Sequence, residues 1–215
     1  MNPVNTCWQC GQPTNGRLLC AACNTLQAPP SDYYKLFDME RRLDLDPAEL
    51  QRRFYELSRV LHPDRYMRKT EQERRYSLDA SSLLNDAYRA LKDPVKRAQY
   101  VLSQEGFEIG EQRSKDVPPE LLEEVFELNM ALEEMRGGDS GVRPQLEQAA
   151  SNFTNMLAEV DEQLVELFRE YDRTADREAL VKVRTALNRR KYILNLVEEV
   201  HRTLNADPVS VPHGN

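Results

Sequence analysis

The sequence lacks a long apolar run and a recognisable targeting segment. No stretch approaches the roughly 18 consecutive apolar residues that a membrane-spanning helix needs, so we predict no membrane span. The first ten residues, MNPVNTCWQC, have neither a basic n-region nor an apolar h-region, and the first basic residue is Arg17. We therefore expect a bacterial cytoplasmic protein; a mitochondrial matrix location would require a transit peptide that is missing from this sequence.

Glycine, aromatic residues and surplus positive charge are also scarce. Only eight of the 215 residues are glycine and 7 % are aromatic, while 40 % are hydrophobic and 30 % are charged. This composition predicts an all-α protein, because sheets favour aromatic and β-branched residues. The net charge of −7 argues against nucleic-acid binding, since a phosphate-binding protein needs a basic surplus.

The charges that are present are unevenly distributed. Residues 52–75 contain eight Arg or Lys and four Asp or Glu, whereas residues 116–136 contain seven acids and one base. Two surfaces of opposite sign indicate two different partners. The alternative is that both are merely solvated helix faces.

All four cysteines lie in residues 1–28, which precede a stiff Pro29-Pro30 linker. They form two Cys-x2-Cys pairs separated by nine residues: Cys7, Cys10, Cys20 and Cys23. Four such thiolates suit a tetrahedral zinc ion, and metal binding would supply the folding energy that a segment with few large apolar residues lacks. Gly11, and less readily Asn24, can adopt the positive φ that such turns use. We predict a separate zinc module; rubredoxin-like iron, paired disulfides and a thiol redox centre remain alternatives.

Capping signals and periodicity predict a helix that ends just before a His62-Pro63-Asp64 triplet. Asp46 caps this helix, Pro47 occupies its first turn and Glu49 completes a spacing like that of a capping box. The helix ends at His62, because a proline disfavours helical geometry in the residue before it. Its apolar stripe comprises Leu50, Phe54, Leu57 and Leu61.

A polar, basic loop over residues 63–70 leads to a second helix. Thr70 and Glu73 form a capping box at its start, and Pro94 follows its end. A short third helix ends at Gly106. The predicted stripe of the second helix is Ala80, Leu83, Ala87 and Leu91.

Residues 107–117 are unpatterned and are interpreted as a linker to a three-helix bundle over residues 118–206. Its helices cover about 118–135, 144–171 and 176–205, with short connections that make neighbouring helices antiparallel. The tail after Asn205 is expected to be disordered. The predicted core stripe of the last helix comprises Leu180, Val183, Leu187, Leu194, Val197 and Leu204.

The first bundle helix carries more apolar residues than a bundle core needs. Its core stripe comprises Leu121, Val125, Leu128, Leu132 and Met135. That leaves Leu122, Phe126 and Met130 on another face, bordered by glutamates that include Glu127. On the last helix, Tyr192 and Leu196 are predicted to point away from the core. We interpret these residues as a binding surface; the alternative is packing against the preceding domain.

The stretch 31–105 resembles a J domain. The resemblance is carried by His62-Pro63-Asp64 together with Phe54-x2-Leu57 before it and Asn85-x-Ala87-Tyr88-x2-Leu91-x2-Pro94-x2-Arg97-Ala98-x-Tyr100 after it. It implies that the chain is not an enzyme but a co-chaperone, in which Asp64 pairs with an arginine in the ATPase domain of a DnaK-type chaperone. The implied docking residues are His62, Pro63, Asp64, Arg52, Arg53 and Arg59. Glu56 and Val60 stand where generic J domains carry lysine.

Residues 31–205 as a whole resemble the HscB-type J-domain co-chaperones of iron–sulfur cluster assembly. The motifs are Asp32-Tyr33-x2-Leu36-Phe37, Arg53-Phe54-x2-Leu57-x-Arg59-x2-His62-Pro63-Asp64 and Arg97-Ala98-x-Tyr100-x-Leu102-x3-Gly106. The resemblance implies a dedicated DnaK-type chaperone (HscA-like) and a cluster scaffold protein (IscU-like) as partners. The implied scaffold contacts are Leu122, Phe126, Glu127 and Tyr192, to which Met130 and Leu196 are added from the helical pattern.

Two rival interpretations remain at this point. A J protein with the same architecture would use its bundle to bind a different client. A rubredoxin-like electron carrier with a fused helical domain would use the cysteines for redox chemistry. The sequence contains no phosphate-binding loop, and His201 and His213 are isolated from any nucleophile pattern, so catalysis by the chain itself is not expected.

Overall fold

The computed structural model describes residues 6–107 and 119–206, and the chain divides into two compact units at residues 104 and 105. Most of the predicted linker at 107–117 and the tail after Asn205 lie outside the described residues. The regular secondary structure of the described part is helical apart from two isolated β-bridges, which confirms the predicted all-α class. No described helix combines the length and hydropathy that crossing a bilayer demands.

The two β-bridges shape the cysteine segment. Thr6 pairs with Pro13, and Leu19 pairs with Leu26, so each bridge closes a loop around one Cys-x2-Cys pair. The backbone has a positive φ at Gly11 (72°) and at Asn24 (55°), immediately after each pair, as the sequence predicts. These turns direct backbone N–H groups inward, which prepares each loop to surround its sulfur atoms.

Four helices form the rest of the first unit: α1 (Tyr33–Phe37), α2 (Pro47–Leu61), α3 (Glu71–Lys92) and α4 (Pro94–Gln104). Asp46 caps α2 by accepting from the N–H of Ala48 at 2.9 Å. Thr70 and Glu73 form the predicted capping box at the start of α3. The caps fix the starts of α2 and α3, two helices that pack against each other.

The α2–α3 core follows the predicted stripes with one shift in α3, and Phe54 and Leu57 of the α2 stripe are only half-buried. Leu50, Leu61 and Ala80 are buried as predicted, as are Ala87 and Leu91. Leu84 takes the core position predicted for Leu83, which is only half-buried. The two leucines are adjacent on a helix that turns by about 100° per residue, so packing against α2 decides between them.

Arg97 is buried, although arginine is rarely found inside proteins. Its Nε donates to the backbone oxygen of Leu43 at 2.7 Å, and its Nη1 donates to that of Leu91 at 2.5 Å. The guanidinium thus joins the segment before α2 to the end of α3. Satisfied hydrogen bonds allow this charge to be buried.

The second unit contains three helices within residues 119–206: α5 (Leu122–Arg136), α6 (Arg143–Thr174) and α7 (Arg177–Asn205). A short 3₁₀ turn, Pro119–Leu121, precedes α5, and the connection between α6 and α7 is only two residues long. The long helices α6 and α7 therefore form an antiparallel hairpin, and α5 packs against both. This arrangement confirms the predicted three-helix bundle.

The bundle core matches the prediction in α5 but not in the second half of α7. Leu121, Val125 and Leu128 are buried as expected. In α7 the predicted core residues Leu194, Val197 and Leu204 are half-buried, and the buried positions are Ile193, Leu196 and Val200. Apolar residues are so dense between positions 193 and 200 that their pattern fits more than one helical phase.

Two ion pairs connect α6 to α7 at two points along the hairpin. Arg190 contacts both carboxylate oxygens of Asp161, at 2.5 and 3.2 Å, and Lys182 contacts Glu170 at 2.9 Å. The acidic partners lie on α6 and the basic partners lie on α7. These contacts help to fix the register of the two helices, because shifting one helix by a turn would separate both pairs.

Candidate functional site

The His62-Pro63-Asp64 triplet lies where α2 gives way to a short 3₁₀ turn, Pro63–Tyr66. Pro63 forces His62 out of helical geometry, and His62 has a ψ of 128°. The Nδ1 atom of His62 accepts a hydrogen bond from the backbone N–H of Asp64 at 3.3 Å. The carboxylate side chain of Asp64 is 78 % exposed, so it is presented to solvent on a constrained turn.

Three side chains that the sequence analysis missed hold this turn in place. Ser77 and Ser81 of α3 both donate to the backbone oxygen of Leu61, at 2.6 and 3.0 Å. Tyr66 is buried, and its hydroxyl donates to the oxygen of Val60 at 3.2 Å. The last carbonyls of α2 are therefore satisfied by side chains. A serine at a core-facing position of α3 is the sequence signal that could have revealed this anchor.

Two of the three arginines predicted for the basic docking face of α2 are exposed. Arg52 and Arg59 are exposed, and Tyr55 is 54 % exposed between them. Arg53 instead donates to the backbone oxygens of Phe37 and Asp38, at 2.9 and 2.7 Å. Arg53 therefore caps the end of α1 with a side chain that is 28 % exposed, and its role in docking stays a prediction.

The surplus apolar stripe of α5 is exposed, as predicted. Leu122, Phe126 and Met130 are 57 %, 66 % and 49 % exposed, while the opposite side of the same helix is buried in the bundle. The neighbouring Glu127 is also exposed. Three large apolar side chains in a row on one helix form a patch of the kind that binds partners.

The apolar patch on α5 extends toward both of the neighbouring helices, α6 and α7. At about 100° per residue, Leu122 lies only about 40° from Arg136, and Arg136 pairs with Glu199 of α7 at 2.9 Å. Leu122 therefore lies on the flank toward α7, while Phe126, about 80° from Arg136, lies further round the exposed side of α5. Glu127 and Met130 line a groove of about 710 Å³ between α5 and α6. The patch therefore runs over the exposed side of α5, from the side near α7 to the side near α6.

The two residues predicted on α7 have different environments. Tyr192 is half-buried, and burial raises the pKa of its hydroxyl, to which the negative charge of Glu199 adds. Leu196 is only 8 % exposed. The prediction that Leu196 points away from the core is wrong, because the inward phase of α7 passes through Ile193 and Val200. Tyr192 remains in reach of a partner.

The four cysteines converge on one point. Cys7 and Cys23 have Sγ atoms 3.6 Å apart, those of Cys10 and Cys20 are 3.7 Å apart, and all four lie within 4.8 Å of one another. A tetrahedron of thiolates held at about 2.3 Å from an ion has sulfur atoms about 3.8 Å apart. The observed spacing fits a single four-cysteine metal site.

Neighbouring groups lower the pKa of the Cys7 and Cys23 thiols, whereas at Cys10 the N–H of Gln12 is outweighed by the contact with Cys23 and by burial, which raise the pKa of that thiol. Burial opposes charge on Cys7, but backbone N–H groups of Cys10 and Gln9 outweigh it and lower the pKa of the thiol to about 6. The side-chain amide of Gln27 also lies within hydrogen-bond distance of the sulfur of Cys7, at 3.3 Å. A thiolate is the form that binds a metal, so these donors favour metal binding.

The cysteine segment is less separate than the sequence suggests. It belongs to the same compact unit as α1–α4. The ring of Trp8 meets that of Tyr76, on α3, edge to face with centroids 6.4 Å apart, while its Nε1 donates to the oxygen of Leu26 at 2.7 Å. A linker proline pair alone does not reveal such a contact, because it depends on residues distant in sequence.

Comparison with known proteins assigns the family. The DnaJ domain matches residues 32–100, and the HSCB C-terminal oligomerisation domain matches residues 117–201. The human iron-sulfur cluster co-chaperone protein HscB is 33 % identical over 167 residues, which cover 72 % of this chain and 71 % of the human protein. The chain belongs to the HscB family.

Solved structures of HscB proteins share this architecture. The crystal structure of human co-chaperone protein HscB superposes with a TM-score of 0.69 at 29 % identity, covering 92 % of this chain and 97 % of that chain. The chaperone HscB from Vibrio cholerae gives a TM-score of 0.55 at 27 % identity, covering 80 % and 96 %. The order of a J domain and a C-terminal helical HscB domain is therefore confirmed.

HscB membership decides one of the two rival interpretations that the sequence left open. The chain is a J-domain co-chaperone of iron–sulfur cluster assembly and not itself an enzyme. This membership excludes the interpretation as an electron carrier with a fused helical domain. The cysteine cluster remains a metal site of this HscB protein, and its geometry is compatible with zinc or iron alike.

Proposed function

We propose that this HscB protein binds an IscU-like iron–sulfur scaffold protein and presents it to a dedicated HscA-like chaperone of the DnaK type. The J domain then stimulates the chaperone's ATPase through His62-Pro63-Asp64. The observation that carries this proposal is the separation of two exposed features, a charged turn in one unit and an apolar patch in the other. One protein with both features can bind two partners at once.

The turn supports the chaperone half of this proposal. Its backbone is restrained by Pro63, by the His62 imidazole and by the serines that hold Leu61, so little conformational freedom is lost when a partner binds. A carboxylate presented in this way forms a charge-assisted hydrogen bond with an arginine. The exposed Arg52 and Arg59 provide positive charge close by on α2.

The α5 patch supports the scaffold half. Leu122 and Phe126 offer the large apolar side chains that dominate binding energy at the centre of an interface, and Glu127 belongs to a polar rim around them. Tyr192 on α7 extends the same surface. Burying this patch against a scaffold removes apolar area that the bundle leaves in water.

A direct test combines the purified chain with both partners. The scaffold should co-purify with the chain, and chaperone ATPase activity should rise when the chain is added and rise further when the scaffold is present as well. A scaffold that neither binds the chain nor changes the ATPase rate would favour a J protein that serves a different client. An unchanged ATPase rate with the chain alone would contradict the chaperone half.

We further propose that zinc occupies the four-cysteine site. Zinc accepts a tetrahedral set of thiolates without redox chemistry, and it would hold the two loops together where the segment has little apolar core. Cys7, Cys10, Cys20 and Cys23 would all be ligands. The role fits a structural element, because four protein ligands leave no open coordination position for catalysis.

Replacing Cys7 and Cys10 together with serine should remove one metal ion per chain. Because the site holds residues 6–28 together, its loss should also move the fluorescence of Trp8, the only tryptophan, to longer wavelength. Elemental analysis measures the first effect and an emission spectrum the second. Retention of one metal per chain by the double variant would contradict the assignment, and an iron signal with visible colour would replace zinc by iron.

A further inference from the structure

The cysteine module (residues 6–28) packs at the loop end of the α2–α3 pair. Trp8 contacts Tyr76, which immediately precedes Ser77, the residue that holds the carbonyl of Leu61. A second stretch of the module, residues 15–18, lines a groove of about 680 Å³ together with the end of α1 and the second half of α2. The module therefore lies beside both α2 and α3, near the turn that joins them and carries Asp64.

The groove is continuous with the exposed basic face of α2. At about 100° per residue, Arg52, Glu56 and Arg59 lie within an arc of about 60°, and Val60 lies about 40° beyond Glu56. Glu56 and Val60 line the groove, and Glu56 is also exposed. Glu56 thus belongs to both surfaces, and residues 15–18 adjoin the face that the chaperone would meet.

Arg17 is the charged residue that the module brings to this border. The turn before it has a positive φ at Asn15 (50°) and at Gly16 (75°), and the N–H of Arg17 donates to the oxygen of Thr14 at 3.0 Å. Thr14 is buried, so the turn is anchored in the module, whereas Arg17 is exposed. Arg17 and Glu56 line the same groove, so a positive charge lies near the acidic residue of an otherwise basic face.

We propose that the cysteine module is part of the chaperone-docking face and that Arg17 contributes positive charge to it beside Glu56. The partner surface is an acidic patch on the ATPase domain of the chaperone, and the inference rests on the proposed function of the J domain. The metal site then affects chaperone affinity, because the metal-held loops position the turn at residues 14–17. Exposed charges at the edge of an interface mainly increase the rate of association.

The test is the affinity of the full-length protein for the chaperone, measured by calorimetry at low and high salt. Arg17→Glu should raise the dissociation constant about three- to tenfold at low salt, and the difference should shrink at high salt as charges are screened. Arg17→Lys should bind almost normally. Lys96→Glu, which reverses an exposed charge on α4, is the matched control and should change affinity little.

Metal content and Trp8 emission should remain normal in Arg17→Glu, which separates a lost contact from an unfolded module. Normal affinity of Arg17→Glu at low salt would overturn the inference, as would an equal loss in Lys96→Glu. Asp64→Asn distinguishes this result from failure of the proposed function. If Asp64→Asn loses ATPase stimulation while Arg17→Glu binds normally, only the role of the module is wrong; if no variant binds differently, the docking face itself is misplaced.

Discussion

Asp64→Asn is expected to abolish stimulation of the partner chaperone's ATPase and to leave the fold intact. Asparagine has nearly the same shape as aspartate, and the backbone N–H that bonds to His62 is retained. The lost negative charge replaces an ion pair with a partner arginine by a weaker hydrogen bond in which only the arginine is charged. Removing one member of such a pair costs about 2 kcal/mol or more, which corresponds to a loss of about thirtyfold or more in affinity.

A steady-state ATPase assay with increasing concentrations of the co-chaperone measures this effect. Asp79→Asn is a matched control, because Asp79 is also an exposed aspartate of the J domain but lies on α3. It should stimulate like the natural protein, and the melting curves of both variants should agree with that of the natural protein. Full stimulation by Asp64→Asn would mean that the turn does not act as proposed.

Leu122→Ala combined with Phe126→Ala is expected to weaken scaffold binding by more than about a hundredfold. Each side chain is more than half exposed, so the bundle should lose little stability when it is shortened. Large side chains at the centre of an interface contribute about 2 kcal/mol or more each, and two such losses multiply in the affinity. Tyr192→Ala should add to the loss, because α7 packs against α5 and the half-buried Tyr192 can face the same partner.

Calorimetry of scaffold binding and a melting curve of the free variant test this expectation together. The control is Val165→Ala with Val181→Ala, which shortens two exposed apolar side chains of α6 and α7 away from α5. The control should bind scaffold normally, and ATPase stimulation without scaffold should survive in both double variants. Normal binding by the α5 variant would place the scaffold site elsewhere, and early melting would show that these residues stabilise the bundle.

Local signals in the sequence predicted the helices well. The start of α2 follows from Asp46 and Pro47, its end follows from Pro63, and the start of α3 follows from the capping box at Thr70. These signals act within a few residues, so they can be interpreted without knowledge of the tertiary structure. The exposed patch on α5 was predictable for a related reason, because a helix in a small bundle buries only one face.

The errors arose where contacts distant in sequence decide the outcome. Leu196 was assigned to the surface because the apolar residues near it fit two helical phases, and packing against the other bundle helices selects the one that buries it. The hydrogen bonds of Arg53 to the end of α1 join residues 15 and 16 positions apart, so no local pattern predicts them. The contact between Trp8 and Tyr76 joins residues 68 positions apart, and no local pattern encodes it.

The helices of the second unit have unequal lengths. The 15 residues of α5 cover about half of a hairpin whose helices have 32 and 29 residues. The half beyond α5 still buries its apolar side chains, since Leu164, Phe168, Leu180 and Val183 are each at most 4 % exposed. Regions that open at a low free energy have few buried apolar contacts, and this half of the hairpin does not have that character. A scaffold bound to α5 would therefore rest on a hairpin that is well ordered on both sides of its binding site.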